Sequence, residues 1–157
     1  MSKRIAGAQD GFTLIEMVCV MAIIGLLAAV IMPGLPHQTS RSRLEAYAME
    51  AASVLKADRN AAISRRVEVT TTVDAGSRSI RSGATGAAVR VPDDVRFDAL
   101  LPENCDNRPV FASVSFFASG MSCGGVITLS RLDTGFEIRV NWLTGKIEIV
   151  PRSQSIN

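Results

Sequence analysis

The sequence predicts an α+β fold in which one long N-terminal helix is followed by antiparallel β structure. Three observations carry this. From Phe12 to Met32 the chain is apolar apart from Thr13 and Glu16. Leu44, Tyr47, Ala48, Ala51, Leu55, Asp58 and Ala62 then recur at steps of three or four, the period of one helix face. From Val67 the period drops to two: Val67, Val69, Thr71 and Val73 alternate with Glu68, Thr70 and Thr72, as in a half-buried strand.

The elements follow in order. Residues 1–11 are polar, with Lys3 and Arg4 the only bases before the apolar run. That run holds 21 residues; a helix of this length rises about 30 Å and can cross a bilayer core. The preceding bases favour a cytoplasmic N-terminus, which puts everything after Met32 outside the inner membrane. A cleaved secretory signal would have a shorter apolar stretch and a small-residue cleavage site. After Met32 the chain reads Pro-Gly-Leu-Pro-His-Gln-Thr-Ser, with no such site, so the segment stays attached; a plain signal anchor is the simpler alternative. Pro33, Gly34 and Pro36 weaken the helix there. A second helical stretch follows, capped by Ser40 or Ser42 and ending near Arg65. Its recurring face is apolar or small except for Asp58, and suits packing on a sheet. Arg41, Arg43, Glu45, Glu50, Lys56, Arg59, Arg65 and Arg66 fill other positions and, with Asp58, read as a solvated face.

Beyond Val67, Ser79–Arg81 and Ala87–Val91 are short strand candidates. Residues 92–109 hold three prolines, two asparagines and several aspartates and read as a long loop. Strands are then expected at Val110–Phe117, Gly125–Arg131, Phe136–Trp142 and Lys146–Val150, with hairpin joints at Asp133-Thr134-Gly135 and Leu143-Thr144-Gly145. Phe136, Ile138, Val140 and Trp142 share one face of their strand.

Composition narrows the function classes. The 157 residues make a one-domain chain with a modest core. A net charge of +2 is nearly balanced and disfavours nucleic acid as a partner. His37 is the only histidine and reads as an interfacial residue; Arg41 and Arg43, on the solvated face, could also touch lipid phosphates. Asp93, Asp94, Asp98 and Asp106 lack a calcium-loop spacing, and Gly124-Gly125 precedes a strand, so it is no phosphate loop. No nucleophile–base pair stands out, and neither an enzyme, a cofactor nor a metal is expected. Cys19 lies in the apolar run as a small hydrophobe. Cys105 and Cys123 have no metal-ligand spacing; in an exported head, a disulfide between them is favoured over two free thiols.

Glu16 is the informative residue. A carboxylate in the middle of a bilayer carries an insertion penalty of about 3 kcal/mol, less near the interface. Either it snorkels toward the headgroups, or it has a role. Gly11-Phe12-Thr13-Leu14-Ile15-Glu16-Met17-Val18 resembles the signal of type IV prepilins and type II secretion pseudopilins. That pattern is a basic leader ending in Gly, then Phe-Thr-Leu-Ile-Glu, then about fifteen apolar residues; here it runs from Gly11 to Pro33. The resemblance implies a pilin-like fold, cleavage after Gly11 by prepilin peptidase, and N-methylation of Phe12 by the same enzyme. It also implies that Glu16 pairs with the N-terminal amine of a neighbouring subunit. Such a pairing satisfies two charges that would each be costly in a low-dielectric filament core.

The C-terminal half carries a second resemblance. Val114-Ser115-Phe116-Phe117-Ala118-Ser119-Gly120, Cys123-Gly124-Gly125-Val126-Ile127-Thr128-Leu129, Ile138-Arg139-Val140 and Thr144-Gly145-Lys146-Ile147 are similar to the C-terminal domain of the GspH/FimT group. Residues 67–109 match no named pattern. The organisation implied is a cleaved leader (1–11), a transmembrane helix (12–32), its periplasmic continuation (33–66) and a β-rich head (67–157). The function implied is that of a minor pseudopilin, a single-pass inner-membrane protein with a periplasmic head. Its partners would be prepilin peptidase, other major and minor pseudopilins, the inner-membrane secretion platform and membrane lipid. A FimT-like minor pilin of pilus assembly or DNA uptake is the first alternative, and a signal-anchored periplasmic enzyme the second.

Overall fold

A computed structural model describes residues 12–31 and 39–153. The leader with Gly11, and the segment holding Pro33, Pro36 and His37, lie outside the described residues. The chain divides into two compact units, Met1–His37 and Gln38–Asn157.

In the first unit, α1 runs Leu14–Ile31. It begins where the Thr13 carbonyl accepts from the amides of Glu16, at 3.1 Å, and Met17, at 3.3 Å. All residues from Phe12 to Ala28 are exposed. Among the described residues no helix is long and apolar enough to cross a membrane. The 18 residues of α1 rise about 27 Å, short of a bilayer core of about 30 Å; the span read from the sequence extends beyond it to Phe12 and Met32.

The second unit is built on α2, Arg41–Arg65, capped by Ser40, whose side chain accepts from the Arg43 amide. Two four-stranded antiparallel sheets pack with it. The first has the order β3-β2-β1-β7, from β1 (Val69–Asp74), β2 (Ser79–Arg81), β3 (Ala88–Arg90) and β7 (Ser113–Phe116). The second has the order β10-β9-β8-β4, from β4 (Arg96–Leu100), β8 (Gly125–Arg131), β9 (Thr134–Val140) and β10 (Ile147–Ser153). A two-stranded ribbon, β5 (Asn104–Cys105) with β6 (Arg108–Pro109), stands apart. The helix buries Leu44, Ala48, Ala51, Ala52, Leu55 and Ala62 against Val69, Val73, Ile80, Phe97, Val114, Phe116, Ile127, Leu129, Phe136 and Ile138. Four alanines on that face let the backbone approach both sheets closely.

The structure corrects several expectations. Residues 92–109 are not one loop. Arg96–Leu100 pairs along β8, with Phe97 opposite Leu129 and Ala99 opposite Ile127; a short alternating stretch was hidden among prolines and aspartates. The β8–β9 turn is Leu132-Asp133, because Arg131 pairs with Thr134. The left-handed backbone falls on Leu132, with φ +52°, rather than on Gly135. Trp142 lies past the end of β9 and is exposed, so it does not share the inward face of Phe136, Ile138 and Val140. Val67 also precedes its strand and is exposed.

Asp58 is the largest departure. It is not on a solvated face but fully buried. Its carboxylate accepts from the Thr71 hydroxyl at 2.6 Å, the Ser82 hydroxyl, the Gly83 amide at 3.0 Å and the Ala84 amide at 3.2 Å. One helix residue thereby holds β1 and the β2–β3 turn. Asp58→Ala strips a common acceptor from four donors, and we expect it to lower unfolding stability by about 3 to 5 kcal/mol. Urea unfolding of the detergent-solubilised chain, followed by Trp142 fluorescence, measures this. A wild-type midpoint would mean the network contributes nothing net.

Candidate processing and assembly residues

Of the processing pair, Gly11 lies outside the described residues and Phe12 is exposed immediately before α1. Glu16 falls in the first turn of α1, where its amide is also 3.4 Å from the Thr13 hydroxyl. A carboxylate here faces the positive end of the helix dipole. Glu16 is exposed and forms no ion pair among the described residues. Cys19, one turn on, is a free and exposed thiol.

In the head, a disulfide joins Cys105 to Cys123, with their Cα atoms 5.5 Å apart. Cys123 is itself held to β7, its amide donating to the Ser115 carbonyl at 3.0 Å. The bridge therefore ties the small β5–β6 ribbon, which pairs only Asn104 with Pro109 and Cys105 with Arg108, to the first sheet. Among the described residues no group of three or more His, Cys, Asp and Glu side chains is placed to hold a metal.

Two further attachments lie at opposite ends of α2. At its start, Asp94 accepts from the Thr39 amide at 2.7 Å and the Thr39 hydroxyl at 2.8 Å. Arg131 meets Asp94 at 3.0 Å and donates to the Thr39 carbonyl at 2.9 Å. This clasp fixes the point at which the chain enters the head. The Thr39 amide first, then its hydroxyl, and then the charge of Arg131 hold the Asp94 carboxyl below the usual carboxylate range. Toward the other end, Arg59 donates to the Gly120 carbonyl at 3.1 Å and the Thr144 carbonyl at 3.0 Å. Gly145 sits so close to this knot that a Cβ there would lie 2.1 Å from the Gly120 oxygen. Gly120 and Gly145, from the first and last of the C-terminal stretches, meet beside one arginine.

Sequence reasoning missed Asp58, Arg59, Thr39, Asp94 and Arg131 as organising residues. For Asp58 the signal was present: a carboxylate on an otherwise apolar helix face needs donors from whatever covers it. For the others, partners 37 to 92 residues away in the chain left no local trace.

The comparisons with known proteins agree with this layout. The prokaryotic N-terminal methylation motif matches residues 7–32. A fimbrial protein of Pseudomonas aeruginosa is 30% identical over 129 residues, covering 82% of each chain. Type II secretion system protein H of Xanthomonas campestris pv. campestris is 27% identical over 142 residues, covering 90% of this chain and 83% of that protein. In three dimensions the chain is similar to the crystal structure of a minor pseudopilin from the type II secretion system of Vibrio cholerae. The TM-score is 0.57 at 9% identity, over 74% of this chain and 99% of that one.

Two outcomes follow for the head. Replacing Cys105 and Cys123 together by serine opens a loop with a sequence separation of 18. The chain-entropy relation puts the loss at about 3 kcal/mol, readable by denaturant unfolding; without reductant, alkylation of the native head should label neither cysteine. For the clasp, a depressed carboxyl contributes stability above its unfolded pKa, and that contribution disappears as pH falls through the folded value. Asp94→Asn should therefore be less stable than wild type at neutral pH, with the gap narrowing once the pH drops below the ordinary carboxylate range. A gap that does not change with pH would rule out the carboxylate as the active element.

Proposed function

Because this chain belongs to the prepilin family of pilins and pseudopilins, we propose that it is a minor pseudopilin, a non-catalytic structural subunit of the type II secretion pseudopilus. The observation that carries this is a combination within one chain. A methylation-motif N-terminus precedes a head with the fold of a type II minor pseudopilin. On this reading residues 1–11 are a leader removed by prepilin peptidase after Gly11, and Phe12 becomes the methylated N-terminus. Phe12–Met32 anchors the chain in the inner membrane with its leader in the cytoplasm, residues 33–66 continue into the periplasm, and residues 67–157 complete the head. Other pseudopilins and the inner-membrane secretion platform are its partners. The fimbrial relative favours a second reading, a type IV minor pilin, which shares the processing and the pairing and differs in the filament served.

Glu16 gives the reading its mechanism. Cleavage creates an α-ammonium at Phe12. In a bundle of apolar helices a neighbour's carboxylate at Glu16 satisfies that charge and sets axial register. The exposure of every residue from Phe12 to Ala28 is compatible with a segment whose covering is other helices and lipid.

Intact-mass measurement of the membrane-extracted protein should give a chain starting at N-methyl-Phe12. Persistence of residues 1–11 in cells with active prepilin peptidase would refute the processing. Glu16→Ala should insert and be cleaved normally but be poorly incorporated, since stranding one member of a buried ion pair typically costs about 3 to 5 kcal/mol. Cross-linking to partner subunits, with secretion and piliation assayed in parallel, separates the readings. Loss of secretion marks the pseudopilin and loss of piliation the minor pilin, while wild-type behaviour in all three defeats the pairing.

A further inference from the structure

The chain's only tryptophan, Trp142, is 61% exposed, yet its backbone is locked. The Trp142 carbonyl accepts from the Ser122 amide at 2.9 Å. The preceding Asn141 side chain accepts from the amides of Leu143, at 3.0 Å, and Thr144, at 2.9 Å. On its inner side the Trp142 Cβ lies so near Gly124 that a Cβ there would be 3.2 Å away. A rigid turn thus displays an indole to solvent, and tryptophan is a residue type enriched at interfaces.

The indole lines an open groove of about 520 Å³ together with Phe117, Met121 and the Cys105–Cys123 bridge. One charged residue lines it, Asp106. Asp106 and Asn107 form the tip of the β5–β6 ribbon, with φ of +49° and +58°, and the disulfide holds that tip in place. Asp106 makes no ion pair among the described residues, and no base lines the groove to neutralise it.

The electrostatics select the occupant. Aromatic faces and a carboxylate both attract a cation. A neutral apolar occupant would desolvate Asp106 without a partner, and an anion would be repelled. An arginine fits both features, because its planar guanidinium stacks on an indole while its N–H fork meets a carboxylate. The groove is also remote from the point where the chain enters the head. Thr39 lies at the start of α2, whereas Gly120 and Thr144, which bracket the groove, are held by Arg59 about 27 Å further along that helix. We infer that the Trp142–Asp106 groove docks an arginine side chain presented by a partner protein. The inference stands whichever filament the chain serves.

Trp142 supplies its own readout. The full chain, in detergent micelles, is titrated with an acetylated, amidated Gly-Arg-Gly peptide while Trp142 emission is recorded. The same titration is run with the citrulline peptide, which keeps the shape without the charge, and with a leucine peptide. Saturable binding in the millimolar range is expected for the arginine peptide, as for a single anchored side chain. The citrulline peptide should bind about fivefold or more weakly, and Asp106→Asn should weaken arginine binding about tenfold. Asparagine tolerates the left-handed backbone at this position, so the variant keeps its turn, and an unchanged unfolding midpoint verifies that. No saturable response to arginine up to about 100 mM, equal binding of citrulline or leucine, or an unaffected Asp106→Asn variant would each overturn the assignment.

Discussion

Helix α2 must satisfy two sheets at once, and the rest of the head depends on how it does so. Its buried face is mostly alanine, which contributes little apolar area per residue but allows the helix axis to lie close to both layers. The bulk is supplied from the sheets by Phe97, Phe116, Phe136 and a set of Ile, Leu and Val side chains. A face this smooth gives little directional information. Asp58 supplies it, since four donors from β1 and the β2–β3 turn converge on a single carboxylate. Burying that charge without all of its partners would be unfavourable, so the polar network selects one register of helix on sheet among several that apolar packing alone would tolerate.

The same helix organises the two ends of the head. Near its N-terminus the Thr39–Asp94–Arg131 clasp brings the β3–β4 connection and the end of β8 to the point of chain entry. Toward its C-terminus Arg59 draws together the turns at Gly120 and Thr144. These turns contain glycines because backbones meet there, as the space around Gly145 makes plain. The second attachment has a functional corollary: an indole exposed on a pinned turn, and a ribbon held by a disulfide, form a surface that pays little conformational entropy when it binds.

Within a filament subunit this arrangement divides the labour. The N-terminal segment is generic, an apolar helix with one carboxylate, Glu16, which on the proposed reading pairs with neighbouring subunits. The head is individual. Several of the charges on its second sheet pair with one another, as in Arg96 with Asp98, and Arg139 and Arg152 with Glu137. What distinguishes Asp106 is its place in one groove with Phe117 and Trp142.

What the sequence determined by itself was periodic or contiguous. The apolar run and its lone Glu16, a serine cap at Ser40 or Ser42, the face from Leu44 to Ala62 and the alternation at Val69–Val73 all express local rules, because neighbours a few residues apart set them. The Cys105–Cys123 pair was legible for a different reason, since two cysteines in a head read as exported leave few choices. What the tertiary structure alone decided were matters of pairing at long range. Arg96–Leu100 became a strand because β8 offered it an edge. Leu132 took the left-handed position because the β8–β9 register ended at Arg131. Trp142 was turned outward because β9 stops at Val140. Asp58 changed from an apparent surface charge to the centre of the fold because its donors arrive from segments 13 to 26 residues away. Each outcome depends on which backbone or carboxylate lies across the gap, and a window along one strand or one helix turn does not contain that information.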